Sequence, residues 1–444
     1  MYTLLLFQDA FGKEIFRVED IEQYLTKKNP YVYTAVGQQY IDAAHVTTSQ
    51  GVFDTTLSAS YDKKEYPVST GEFFDVSLNK PTENGTEWIV GYRKAEGIQE
   101  YNNIKTGSQG EFRMGVKVPV FSLLNHMNNR KYTVESATIN ATKSRYDAGN
   151  NLRNLYAHIT TTYYQLLYFN ELLKLEKGLL RKAKKRDQFI AKKVKTGDFP
   201  EIAMLESQQQ IITRQQRVLG TKSSYYKALQ IFLKYINLSK NTFDKRYTLP
   251  SIKTVKKEKV VLEALIRKAL KNRPDLKALE YKKMKLDLNA QYNTLSKYPD
   301  LNIFAYGVHD MKYGQGVKVG LQFDIPLERR KYEGKKVEIQ RGLTQLKEEQ
   351  NKLKRELKTN LTQLVYALDI ANKNIHLGKK EIRIATKLED AENKKYKLGS
   401  SDLFQVNQRE ITALQVKQKQ LEYYINAWLI QQEIKKEIGE FNRL

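Results

Sequence analysis

In residues 317–327, VKVGLQFDIPL, apolar side chains occupy every odd position from Val317 to Leu327, while Lys318, Gly320, Gln322, Asp324 and Pro326 fall between them. A two-residue period marks a strand with one apolar and one polar face. Residues 110–121, GEFRMGVKVPVF, alternate in the same way, with Phe112, Met114, Val116, Val118 and Val120 apolar. An offset of 207 residues lays Val118-Pro119-Val120 over Ile325-Pro326-Leu327, so the chain carries an internal repeat. Each strand has an alternating partner upstream: Phe53, Leu57, Ala59 and Tyr61 share a face within 51–62, and Leu301, Ile303 and Ala305 do so within 299–309. The pattern predicts a strand pair in each half. A long polar loop over 63–109 joins the first pair, and a short glycine-containing one over 308–316 joins the second.

After each second strand the period changes to that of a helix. The first helical stretch runs from Asn128 to Lys195, breaks at KTGDFP and resumes from Glu201 to Tyr235. The second runs from Tyr332 to Lys397, breaks at KLGSSD and resumes from Leu403 to Ile438. Gly197 and Gly399 suit the left-handed residue that ends a helix, and Ser401 or Asp402 can cap the next one. The returning helices carry seven-residue rows: Leu205, Ile212, Leu219, Tyr226 and Leu233, beside Ile211, Val218, Tyr225 and Phe232, and in the second half Leu414, Leu421 and Trp428. Such rows predict coiled-coil packing between the arms of each hairpin. Shorter helices precede each strand pair, over 18–50 and 260–297, each restarting at a proline, Pro30 or Pro274. The resulting division is 13–242 for the first repeat, 243–259 for a linker and 260–444 for the second repeat.

Composition narrows the class. Of 444 residues 41% are hydrophobic, and no run approaches the roughly 18 apolar residues of a membrane helix, which excludes a helical membrane protein. The net charge of +25 raises nucleic acid or an anionic surface as partners, but the lysines are spread along the helices, as on a solvated face. No zinc-finger, glycine-rich or aromatic RNA-binding signature supports nucleic acid. Without cysteine there are no disulfides, thiolate metal sites or cysteine nucleophiles. The histidines (His45, His126, His158, His309, His376) lack metal-ligand spacing, and no nucleophile elbow or phosphate loop is present, so neither an enzyme nor a cofactor is expected. Residues 1–12, with an apolar run from Tyr2 to Phe7 and small Ala10 and Gly12, are expected to be the remnant of a secretory signal.

Four strands cannot close a membrane barrel, whose single-chain minimum is about eight, and an open sheet in lipid leaves backbone groups unpaired at several kcal/mol each. If these strands enter a membrane, several chains must pool them, with the helical hairpins standing in water. The competing expectation is a soluble coiled-coil scaffold whose strands form a β cap with the apolar face inward.

The segments NRPDLKALEYKKMKLDLNAQYNTLSKYPDLNIFAYG, VGLQFDIPL and KYKLGSSDLFQVNQREITALQ, with their first-half counterparts, resemble TolC-like outer-membrane efflux proteins over about residues 18 to 439. The resemblance implies a mainly α chain contributing four strands to a trimeric, twelve-stranded outer-membrane β-barrel joined to a long periplasmic α-helical coiled-coil barrel. It implies an exit duct for efflux or type I secretion, working with an inner-membrane pump and a periplasmic adaptor. Alternation then puts Phe112, Met114, Val116, Val118, Val319, Leu321, Phe323 and Ile325 against lipid. Glu111, Arg113, Lys117, Lys318, Gln322 and Asp324 would face the pore, and Pro119 and Pro326, unable to donate a ladder bond, suit the turn from strand to helix. By the resemblance the adaptor contacts the tips, at Gly197, Asp198 and Pro200 and at Gly399, Ser400, Ser401 and Asp402. Relatives often carry an aspartate pair at the aperture, where this chain has Gln405 and Gln408; Asp198, Glu201, Glu206 and Asp402 are nearby carboxylates that could replace it.

Overall fold

A computed structural model describes residues 13–440 apart from 68, 98–103 and 253–260. The segment read as a signal remnant, 1–12, lies outside the described residues, as does part of the linker. Elements in chain order are β1 (Glu14–Ile15), α1 (Pro30–Gln50), β2 (Thr56–Tyr66), β3 (Ser69–Pro81), β4 (Glu87–Gly97), β5 (Glu111–Pro119), α2 (Val120–Leu124), α3 (Asn129–Lys195) and α4 (Glu201–Ile236). There follow α5 (Lys240–Arg246), β6 (Tyr247–Thr248), α6 (Leu262–Asn272), α7 (Pro274–Asn293), β7 (Asp300–Asp310), β8 (Gly314–Asp324), α8 (Arg330–Lys397) and α9 (Leu403–Glu437). The chain is mainly helical. Pro30 and Pro274 each open a helix, where a missing N–H costs nothing. The chain divides into two compact units, one of residues 1–36, 149–274 and 354–444, the other of residues 37–148 and 275–353.

The first unit is built on helical hairpins. α3 has 67 residues and α8 has 68, each about 100 Å at 1.5 Å per residue. The returning α4 and α9 have 36 and 35. At one end of this unit Phe16 is fully buried among the rings of Tyr24, Tyr163, Phe232, Phe243 and Tyr247. The Tyr163 hydroxyl donates to the Phe16 carbonyl at 2.8 Å, and β1 pairs in parallel with β6. This segment around Phe16 is thereby bolted to both arms of the first hairpin. The heptad rows depart from expectation. Leu205, Ile212 and Leu219 are 65%, 56% and 64% exposed, and only Leu233 of that row is buried. The neighbouring row turns inward instead, ending in the fully buried Phe232. One further exposed apolar row follows α8 through Tyr366, Ile370, Leu377, Ile384 and Leu388.

The second unit holds the sheet, and here the reading of four strands is corrected to six. The hydrogen-bonded order is β2-β3-β4-β5-β7-β8, antiparallel throughout. The stretch expected to be a long polar loop, 63–109, contains the end of β2 and all of β3 and β4, so β2 pairs with β3 rather than with β5. Two features break the alternation there. Phe73 and Ile89 point to the polar face beside outward Phe74, Trp88 and Val90, giving consecutive apolar residues. Charged residues also replace apolar ones on the outward positions towards one end of β2, β3 and β4. The β3–β4 turn is held by Asn84, whose side-chain oxygen accepts from the Thr86 N–H at 3.1 Å, followed by Gly85 at φ +93°.

Truncation of Phe16 to Ala removes the centre of the aromatic cluster. The expected loss is about 3–5 kcal/mol of stability, read as a lowered denaturation midpoint of the full-length protein; an unchanged midpoint would show that the segment around Phe16 does not hold the hairpin.

Candidate functional site: the sheet faces and the helical tips

The registers sort the sheet into two faces. One row crosses all six strands as Leu57, Leu78, Val90, Met114, Gly307 and Val317. The same face carries Phe112, Val116 and Val118 on β5 and Val319, Leu321 and Phe323 on β8. It is exposed: Val317, Val319, Leu321 and Phe323 show more than half their surface. A monomeric soluble protein rarely leaves an apolar face of this extent uncovered. Ile325, expected on this face, lies beyond the last residue of β8.

The opposite face is polar and crowded. Glu111 and Arg113 are on it, and both are engaged. Glu111 is buried against Arg93, and Arg113 reaches over Gly91 to Asp75, Nη2 to Oδ2 at 2.7 Å. These pairs tie β3, β4 and β5 together on one side. Gly91, Gly115 and Gly320 all sit on this face, where an added Cβ would come within 2.6 Å of a neighbouring carbonyl or ring. Glycine therefore lets Phe304 and Tyr306 lie across the strands. Lys117, Lys318, Gln322 and Asp324 share the face, with Lys318 and Gln322 exposed or partly so. Pro119 closes β5 and stands immediately before α2, whereas Pro326 lies between β8 and α8.

The two tips belong to the first unit and are built alike. Gly197 and Gly399 both have φ +76°, which an L side chain rarely adopts. The Gly197 N–H donates to the Val194 carbonyl and that of Asp198 to Lys193; Gly399 and Ser400 repeat this with Tyr396 and Lys395. These are the paired bonds that close a helix end. The Asp198 carboxylate is held below its ordinary range, chiefly by the hydrogen bond from the Lys193 ammonium at 3.0 Å and then by the Thr196 hydroxyl. Asp402 caps α9 by accepting from the Gln405 N–H at 2.7 Å, and Ser401 donates to Glu392 at 2.6 Å. Pro200 precedes α4. Beneath the turns Phe189, Phe199 and Tyr396 pack around Ile190, Leu403 and Val406.

Glu201, Glu206, Gln405 and Gln408 are all exposed, and the hydrogen bonds and ion pairs found at the tip do not include their side chains. A different carboxylate is the organising one. Glu410 is buried between two arginines, at 2.7 Å from Arg186 and 2.8 Å from Arg214, and both guanidinium groups also donate to the Asn407 side chain. Burial pushes Arg214 down from its ordinary range while Glu410 opposes the shift. The network joins α3 and α4 of one hairpin to α9 of the other. The sequence offered no local spacing that would have singled out residues 186, 214 and 410.

No protein-family model and no curated protein sequence matches the chain. Solved structures do. The outer membrane protein VceC from Vibrio cholerae superposes with a TM-score of 0.71 at 10% identity, over 95% of this chain and 96% of that one. The outer-membrane channel OprN gives 0.69 at 12% identity, over 98% and 95%. The CmeC outer membrane channel of Campylobacter jejuni gives 0.66 at 13% identity, over 98% and 90%. The fold is therefore that of outer-membrane channel proteins of the TolC-like type, the family that the sequence resembles.

Two substitutions probe the tips. Glu410→Ala leaves two buried guanidinium groups facing each other and should cost about 3–5 kcal/mol, measured by denaturation; a loss under a tenth of that would show the network to be idle. Gly399→Val places a β-branched residue at positive φ. It should speed amide exchange in the last turn of α8 with a local cost of about 1–2 kcal/mol, while exchange at Phe232 stays unchanged.

Proposed function

We propose that this protein is an outer-membrane exit duct in which three copies pool their strands into one barrel and their helical hairpins into one periplasmic tube. The observation that carries the reading is the exposed apolar face on a sheet with open edges, in a chain whose described helices include none long and apolar enough to cross a membrane. Lipid covers such a face without a protein partner, and only a closed ring of strands satisfies the backbone there. The unpartnered rows on α4 and α8 support the pooling of copies, because a ring of hairpins buries one chain's row against its neighbour. The fold of channel proteins such as VceC and CmeC supports the same reading.

The duct has no reaction to catalyse. Substrate is driven by an inner-membrane pump through a periplasmic adaptor, in efflux or type I secretion, and passes passively along the polar interior. The tips at Gly197–Pro200 and Gly399–Asp402 are where the adaptor docks, and Glu201, Glu206, Gln405 and Gln408 ring the aperture. With glutamines at two of those positions, cation binding there is weak, and Arg186–Glu410–Arg214 sets how far the two hairpins can part.

The reading is tested by recovery and by conductance. The protein should fractionate with outer membranes, require detergent for extraction, and conduct ions in planar bilayers. Val319→Arg should abolish assembly, at about 2–4 kcal/mol per chain for an arginine in lipid, whereas Lys318→Arg should assemble normally. Recovery as a monomer in detergent-free buffer, or equal tolerance of both substitutions, would favour the soluble scaffold with a β cap.

A further inference from the structure

We infer that each copy gives six strands to the barrel, so that three copies close eighteen strands, with β8 of one chain paired to β2 of the next. This rests on the membrane reading above and departs from the twelve strands that the family resemblance implies. The alternative is that β3 and β4 form a hairpin outside the lipid and only four strands span it.

Three observations place β3 and β4 in the lipid-covered wall. First, the apolar row is unbroken across them: Leu78 and Val90 stand between Leu57 and Met114 in direct register. Second, an aromatic row crosses the same strands. Phe74 and Tyr92 lie 6.4 Å apart and Tyr92 and Phe112 5.2 Å apart, with Tyr61 opposite Phe74, as in the aromatic belts that edge membrane barrels. Third, just beyond that row the outward positions become charged on β2, β3 and β4 together, at Lys63, Glu72 and Glu96, which stand directly opposite one another. A boundary shared by all three strands is what a lipid surface imposes. A hairpin standing in water would have no reason to change polarity at the same level.

The edges then fit each other. Six is even and every neighbour is antiparallel, so β2 and β8 run in opposite directions and can continue the ladder between copies. Both have 11 residues. Six strands fall short of the roughly eight a single chain needs to close. At about 4.8 Å between strands and about 40° tilt, eighteen strands give a backbone diameter of about 36 Å, against about 24 Å for twelve. Rings of that larger size keep an aqueous lumen.

The cysteine-free chain makes the test direct. Single variants Val76→Cys, Val90→Cys, Val319→Cys and Ser400→Cys are reconstituted in phosphatidylcholine vesicles and treated with a membrane-impermeant maleimide. Val76→Cys and Val90→Cys should label about tenfold more slowly than Ser400→Cys, matching Val319→Cys. Fast labelling at 76 and 90 with a shielded 319 would remove β3 and β4 from the wall and overturn the inference, while leaving the duct intact. Fast labelling at 319 as well would overturn the membrane reading itself. Ala59→Cys is then combined in turn with Val317→Cys, Val319→Cys and Leu321→Cys and oxidised. One pairing should yield covalent ladders that stop at three chains. A ladder ending at two chains would mean a twelve-stranded ring of two copies, and no ladder in any pairing would exclude the β8–β2 junction; either overturns eighteen-strand closure.

Discussion

Everything in the sheet-bearing unit depends on one constraint: a strand in lipid must pair its backbone on both sides. Each unpaired N–H or C=O in hydrocarbon costs several kcal/mol, and β2 and β8 each present a full edge of them. The apolar face invites lipid and the edges forbid it to a lone chain. In the proposed duct the two facts are reconciled when copies share a ladder. A helix meets the same constraint by itself, since its backbone bonds lie within the segment; among the described residues none of the helices is long and apolar enough to cross a membrane.

Much of this was legible in the sequence, and the reasons differ by element. Long helices announce themselves by glycine breaks: the arms read as 128–195 and 332–397 occupy Asn129–Lys195 and Arg330–Lys397. Gly197 and Gly399 sit where only a residue tolerant of positive φ is comfortable, so the tips were readable from one residue type. β5 and β8 were readable because their two faces are chemically pure. β3 and β4 were not. Their polar face includes Phe73 and Ile89, which blurs the period, and their outward positions turn charged towards one end. A signal was nevertheless present. Asn84-Gly85 between apolar stretches is a strong short-range hairpin mark, and it outweighs the polarity of the surrounding residues.

The heptad rows show a different limit. Periodicity identifies which residues want a partner but not which partner they get. Leu205, Ile212 and Leu219 repeat every seven residues, as do Ile211, Val218, Tyr225 and Phe232 on the same helix. Within one chain only the second row turns inward, and the first stays bare. A helix with two adjacent apolar rows has one for the inside of its hairpin and one left over, which the proposed trimer would cover. Sequence alone assigns both to the nearest helix.

The buried ion network near the tips follows from that arrangement. Packing apolar rows alone lets helices slide by a turn at little cost, since leucine meets leucine at each step. Glu410, Arg186, Arg214 and Asn407 allow one alignment of α3, α4 and α9, because any slip leaves a buried charge unpaired. A buried ion pair adds little net stability over an apolar replacement, yet breaking it is expensive, and that asymmetry fixes register rather than strength. Smooth apolar rows outside and a discrete polar lock inside give each hairpin pair two kinds of contact. In the proposed trimer the outer rows can shift against a neighbouring copy in small steps, while α9 holds one place against the first hairpin. Any movement at this end of the hairpins must therefore carry these three helices as a block or break the lock outright.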